Sequence, residues 1–416
     1  MRFLSRLAVV CLSGAGLIVA QAPQRLTLER ALALALEHNP QLRVASAQRD
    51  GAEAGIVTAR AYPNPEMTTM VGPQFSRPNA LTGPGARGLL QHYSIHQPIE
   101  LPAVRAARLR TAEAGREGSL YALQEARLAV RAMVKQAFFQ VLRRRNEIVL
   151  AMENLKLIED LRRRIQVQVE VGEAAKLELI RADAEVATAR TLATSAQLRY
   201  TNALAYLRTV VGAPLGANVE LEGQLDTRQP LPALESLREE VAARHPSLAV
   251  AKAEIRRAEG RLRTEQALRR PGLTAHSEYE HQPDLQFYRA GISVPLPLWN
   301  KREGPIGEAA AGLRQASALA DLRRLEINAN LERAYGMYEV ATQQLVAFED
   351  GVLREAEAAV KAAEAAYRFG ERGILDVLDA QRVLRTVRTD YLSAQYDLQA
   401  ALIEIEQLRA VDPEQK

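Results

Sequence analysis

Val171-Gly172-Glu173 with Leu177-Glu178, and Phe369-Gly370-Glu371 with Leu375-Asp376, stand 198 residues apart in a chain of 416. The same spacing relates Ser195-Ala196-Gln197 to Ser393-Ala394-Gln395. Upstream, Ile95-His96-Gln97-Pro98-Ile99 answers Ile292-Ser293-Val294-Pro295-Leu296 at an offset of 197. Earlier still, the proline of His38-Asn39-Pro40-Gln41-Leu42 answers that of His245-Pro246-Ser247-Leu248 at 206. Four anchors in one order describe a chain written twice. The change in offset places 206 − 197 = 9 extra residues in one loop of the first copy, between Pro65 and Pro98.

Each copy reads alike. A helix is expected at 27–61 and again at 233–269; Leu28, Leu32, Leu36 and Leu42 set the stripe, and Thr27 offers only a weak cap. Pro63 and Pro65, and Pro271-Gly272, stop these helices. The period then falls to two. Tyr93, Ile95 and Ile99 oppose His92, Ser94 and His96; Leu273, Ala275 and Tyr279 oppose Thr274, His276 and Glu278; Tyr288, Ala290, Ile292 and Val294 oppose Arg289, Gly291 and Ser293. Such alternation predicts strands with one apolar and one wet face, paired as 66–75 with 87–99 and 273–281 with 286–296. Beyond Pro102 no proline occurs through Val171, so one helix on the order of 100 Å is expected. Its counterpart covers 307–369. Gly172 and Gly370 end the long helices, and return helices follow at 177–211 and 374–410. The fold class is mainly α with a small β part: two tandem repeats, each a long coiled-coil hairpin with a strand pair. The repeats cover 21–211 and 233–411, joined by a linker at 212–232 and followed by a tail at 412–416.

Composition narrows the function. Fifty-four Lys+Arg against 50 Asp+Glu leave +4, with the two signs interleaved along helices, so nucleic acid is not a partner. Arg2 and Arg6 before the uncharged run 7–20 read as an export signal with cleavage after Ala20. The sole cysteine, Cys11, excludes a disulfide framework, and Val10 before it is not the small residue that lipidation wants. No later window is long and apolar enough for a spanning helix.

An exported chain with four amphipathic strands has open sheet edges and an apolar face that projecting helices cannot cover. Lipid would cover that face if the sheet closed into a barrel. Membrane barrels need at least about eight strands, so several chains must contribute, and three chains of four give 3 × 4 = 12. His92, His96, Glu278 and Arg289 would then face the lumen.

Tyr367-Arg368-Phe369-Gly370-Glu371-Arg372-Gly373-Ile374-Leu375-Asp376-Val377-Leu378-Asp379-Ala380-Gln381 resembles the second hairpin turn of the TolC-like outer-membrane factors of tripartite efflux pumps. Tyr62-Pro63-Asn64-Pro65-Glu66 and Val294-Pro295-Leu296-Pro297-Leu298-Trp299-Asn300 resemble the CzcC-like branch that serves heavy-metal cation pumps. The resemblance covers nearly the whole chain after the export signal. It implies a homotrimer with a 12-stranded barrel in the outer membrane and a 12-helix periplasmic tunnel. It also implies a periplasmic adaptor and an inner-membrane RND-type pump as partners. A soluble periplasmic coiled-coil protein is the competing reading, and it leaves the strand pairs without a purpose.

Asp376 and Asp379, three apart, share a helix face. The resemblance makes them carboxylate rings at a periplasmic gate; otherwise they are acids favouring a helix N-terminus. By the same resemblance Tyr367 and Arg372 latch the tip, with Glu178 as the acidic partner, and the turns at Gly172 and Gly370 dock the adaptor. Both glycines suit a left-handed helix end on their own account. Of His38, His92, His96, His245, His276 and His281, the pair His92 and His96 lies about 13 Å apart along one strand and cannot share an ion. His38 and His245 are read as matching repeat positions before proline, with a helix-end role. No metal, cofactor or catalytic residue is expected. Gly83-Pro84-Gly85-Ala86-Arg87-Gly88 matches a nucleotide-loop pattern but lacks its strand-turn-helix setting.

Overall fold

The computed structural model describes residues 24–75, 87–216, 219–225, 228, 230–283 and 285–410. The expected export signal with Cys11, the tail at 412–416 and most of the 83–88 loop lie outside these residues.

The first copy runs β1 (Gln24–Leu26), α1 (Leu28–His38), α2 (Pro40–Arg60), β2 (Glu66–Phe75), β3 (Arg87–Ile99), α3 (Pro102–Glu170) and α4 (Lys176–Val211). After β4 (Val219–Leu221), the second runs α5 (Leu234–Arg244), α6 (Pro246–Ala267), β5 (Leu273–His281), β6 (Gln286–Ser293) and α7 (Glu303–Ala347). A π-helical turn (Phe348–Val352), α8 (Leu353–Arg368) and α9 (Ile374–Arg409) complete it.

The sequence predicts single helices at 27–61 and 233–269, and the structure breaks both. Asn39 is extended, its Oδ1 accepts from Gln41 N at 2.8 Å, and Pro40 opens α2. Its amide donates to Val210 O at 2.6 Å, so one buried residue starts α2 and closes the end of α4. In the second copy His245 Nδ1 accepts from Ser247 N at 3.2 Å, ahead of Pro246. His245 is thus the counterpart of Asn39, and the expected pairing of His38 with His245 is off by one position. Proline fits the first helical turn because its missing N–H is unneeded there. Thr27 does cap α1, accepting from Arg30 N at 3.3 Å.

Three further elements, β1, β4 and a π-helical turn, were not anticipated. The segment read as a linker contains β4, which pairs in parallel with β1; Leu26, Val219 and Leu221 are buried there, and Arg145 Nη1 donates to Leu221 O at 2.7 Å. The second long helix is interrupted by its π-helical turn, and β6 ends at Ser293 rather than 296, short of Pro295.

The main core lies where α1, the middle of α3, the end of α4 and the small parallel sheet meet, around Phe138, Leu142, Leu207 and Val211. A second cluster joins α5, α7 and α9 through Leu237, Leu331 and Ile405. α3, with 69 residues and a length of about 100 Å, passes through this waist and projects on both sides of it.

The four longer strands form one antiparallel sheet, ordered β2-β3-β5-β6. The copies therefore meet in mid-sheet, where β3 pairs with β5 in the register Tyr93 opposite Tyr279 and His96 opposite His276. Directly paired residues share a face. Met67 with Ile95, Tyr93 with Tyr279 and Tyr288, and Ile292 fall on one face; His92, Ser94, His96, His276, Glu278, Glu280 and Arg289 fall on the other. The apolar face is bare: Met67 is 66% exposed, Ile95 49%, Tyr288 69% and Ile292 66%.

Candidate functional site: the hairpin tip and the polar sheet face

Each hairpin turns on a glycine with positive φ, 81° at Gly172 and 72° at Gly370. The bonding is the same in both. Gly172 N donates to Val169 O at 3.2 Å and Glu173 N to Gln168 O at 2.8 Å; Gly370 N donates to Tyr367 O at 3.1 Å and Glu371 N to Ala366 O at 2.9 Å. This paired 5→2 and 6→1 bonding is the Schellman closure of a helix, whose left-handed position favours glycine.

The turns lie at one end of a four-helix packing. Ile158, Leu161 and Ile165 of α3, Ala182 and Val186 of α4, and Ile374, Val377 and Leu378 of α9 make its core, with Tyr367 of α8 against it. The apolar stripe beginning at Ile374 faces this core, so Asp376 and Asp379 are turned outward and exposed. Asp379 Oδ1 lies 3.7 Å from Arg382 Nη1.

Tyr367 bridges the two hairpins. Its hydroxyl lies 2.9 Å from Gln168 Oε1 and 3.2 Å from Glu178 Oε2, so one phenolic proton has two acceptors. Burial first, then the charge of Glu178 and the hydrogen bond to it, push this hydroxyl up to about 12. Of the three expected latch residues the structure brings together Tyr367 and Glu178. Arg372 is exposed on the turn, and among the described residues Glu178 is held by Tyr367 and not by Arg372. The structure does not bring together the Glu178–Arg372 pair expected from sequence: Arg372 is exposed on the turn, while Tyr367, five residues earlier at the end of α8, packs half-buried against the tip cluster.

A second link between the hairpins was missed. Arg382 Nη2 donates to Glu185 Oε2 at 2.8 Å, and Arg385 Nη1 lies 3.8 Å from Glu185 Oε1. Glu185 is buried on the stripe Ala182, Val186, Ala189. A lone acid on an otherwise small and apolar stripe was the available signal, since such a residue needs a partner.

At the far end, the polar face of the sheet is an ion-pair surface. Glu278 Oε2 and Glu280 Oε2 lie 3.3 Å and 3.7 Å from Arg289 Nη2, and Glu280 lies 3.5 Å from His92 Nδ1. Ser94 between these residues is buried. His92, His96, Glu278 and Arg289 share this face, as the alternation predicts. Among the described residues no cluster of three or more His, Cys, Asp or Glu side chains is gathered to hold a metal, and no helix is long and apolar enough to cross a membrane.

The sequence profile of the family described as outer membrane efflux protein matches residues 31–213 and 237–410. The cobalt-zinc-cadmium resistance protein CzcC of Cupriavidus metallidurans is 29% identical over 377 residues, covering 89% of this chain and 87% of that protein. The nickel-cobalt-cadmium resistance protein NccC of Alcaligenes xylosoxydans is 26% identical, covering 77% of this chain and 72% of that protein. Among solved structures, the Campylobacter jejuni CmeC outer membrane channel superposes with a TM-score of 0.81 at 15% identity, covering 92% of this chain and 85% of that one.

Proposed function

Because the chain belongs to the outer membrane efflux protein family, whose members are transport conduits and not enzymes, we propose that it is the outer-membrane channel of a tripartite heavy-metal efflux system and works as a homotrimer. The observation that carries the trimer is the four-stranded sheet, with free edges at β2 and β6 and a bare apolar face. In water both features are liabilities. β2 and β6 point in opposite directions across the sheet, so β6 of one copy can continue onto β2 of the next in antiparallel fashion. Three copies close 3 × 4 = 12 strands, placing Met67, Ile95, Tyr288 and Ile292 against lipid and the ion-pair face around a lumen.

The helices of three copies then form a tunnel running away from the membrane into the periplasm. The channel supplies no chemistry and no energy. An adaptor docking at the Gly172 and Gly370 turns connects it to an inner-membrane RND-type pump, and Asp376 and Asp379 form carboxylate rings at the gate. The substrate class is divalent heavy-metal cations, in keeping with the cobalt-zinc-cadmium and nickel-cobalt-cadmium resistance proteins to which the chain is similar. A soluble coiled-coil adaptor is disfavoured because it would leave the apolar sheet face in water.

Expression in a double-membrane bacterium, fractionation and planar-bilayer recording test this reading. The protein is expected in the outer-membrane fraction and, once purified, to conduct. Recovery in the soluble periplasm, with no conductance, would overturn it.

A further inference from the structure

The pairing of β3 with β5 creates a juxtaposition that neither strand contains alone. His96 and His276 lie directly opposite each other, and their rings stack with centroids 5.9 Å apart and planes 23° apart. The row continues to both sides. Glu66 of β2 is the register neighbour of His96, and Gly291 of β6 is that of His276. A Cβ at Gly291 would sit 2.7 Å from His276 Nε2, so the His276 ring lies over Gly291 only because that residue is a glycine. His96 Nε2 lies 3.3 Å from the hydroxyl of buried Ser94. That contact occupies one ring nitrogen and leaves Nδ1 for another partner, the arrangement that orients metal-binding imidazoles.

The other charged groups on this face are engaged elsewhere: Glu278 and Glu280 with Arg289, and Glu280 with His92. Paired side chains across adjacent strands have Cβ atoms about 4.5–5.5 Å apart. Imidazole nitrogens bind zinc-like cations at about 2.0–2.1 Å. Two opposed histidines can therefore meet at one ion once a ring swings out of the stack. Imidazole suits zinc, nickel, cobalt and copper, whereas magnesium and calcium prefer oxygen.

We infer that His96 and His276 form a two-imidazole docking site for divalent transition-metal cations on the polar face of the sheet, with exposed Glu66 beside it. The inference rests on the channel reading for its meaning, since it makes this site a way-station for the exported ion. His96 lies three residues, about 10 Å, before the end of β3, and α3 begins at Pro102 just beyond. The site thus lies where the tunnel would open into the barrel. Two protein ligands with water completing the shell bind weakly, and a conduit needs sites that an ion can leave. The sequence hid this pair because His96 and His276 are 276 − 96 = 180 residues apart and only the register joins them.

The test is a calorimetric titration of the purified, tag-free full chain with Ni²⁺, with Mg²⁺ as control, for the wild type, His96→Gln, His276→Gln and His92→Gln. The expected result is one Ni²⁺ per chain and no Mg²⁺ binding. Either His96→Gln or His276→Gln should weaken Ni²⁺ binding at least about tenfold, the lower end of what even an outer partner costs a metal site. His92→Gln should leave it unchanged. No saturable Ni²⁺ binding by the wild type, or equal binding by all variants, would overturn the site. Should one substitution prevent folding, the other histidine carries the test alone. Binding is read on the isolated protein, so loss of the site with conductance intact sinks only this inference. Binding without conductance keeps the site and sinks the channel.

Discussion

Replacing Tyr367 with phenylalanine removes one oxygen and nothing else from the hairpin tip. The ring stays packed against the apolar cluster of α3, α4 and α9, while Gln168 and Glu178 lose the donor between them. A hydrogen bond to a charged group is worth roughly 1.5–3 kcal/mol, and partial exposure of this tip discounts it to about 1 kcal/mol per chain. In a threefold assembly the loss triples to about 3 kcal/mol, a shift of about 150-fold in the balance between closed and open tips. Single-channel recording of the purified protein measures this as a rise in open probability or conductance. Glu178→Gln should act in the same direction and more weakly, since a neutral amide oxygen still accepts. A Tyr367→Phe channel that conducts like the wild type, with Glu178→Gln equally silent, would refute the claim that this contact holds the tip shut.

Four other outcomes follow. Gly172→Ala and Gly370→Ala should each cost about 1–2 kcal/mol, because a Cβ there meets nothing and only the left-handed backbone is penalised. Gly212→Ala should cost more in the same denaturant titration, since φ is 71° and its Cβ would also press on Pro40 Cδ at 3.0 Å and Asn39 Cα at 3.1 Å. Burial holds His245 below the usual histidine range, with Arg323 adding to this and Glu125 opposing it. The unfolded chain therefore takes up this proton first, and stability falls as pH drops through about 6.5 toward the lower folded value. His245→Asn, which keeps a capping oxygen as Asn39 does, should flatten that dependence in thermal melts at pH 5 and pH 8. Asp376→Asn and Asp379→Asn should change stability by less than about 0.5 kcal/mol, because both are exposed, yet relieve block of the channel by multivalent cations; block identical to wild type would remove them from the gate.

Much of the architecture was legible because it is written in strong periods. The two-residue alternation around Tyr93 and Tyr288 and the glycines at 172 and 370 state strands and turns directly, and the duplication states them twice. What stayed hidden depended on partners distant in sequence or on segments too short to show a period. β1 and β4 have three residues each and exist because they pair with each other. The breaks at Asn39 and His245 are single extended residues capping Gln41 N and Ser247 N, too short to show a period, and an Xaa-Pro step alone does not fix them. The tip was half legible: the motif located Tyr367 and Glu178, but the direction in which the turn throws Arg372 is a matter of three-dimensional packing. Glu185 was passed over because a single acid in a helix reads as solvated until its stripe is seen buried.

The most direct measurement is the mass of the detergent-extracted particle by light scattering, corrected for bound detergent. Three chain masses, with no smaller species from the same membrane fraction, is the result that barrel closure predicts. A monomer or dimer would leave four or eight strands per particle, too few for an open lumen, and would contradict it.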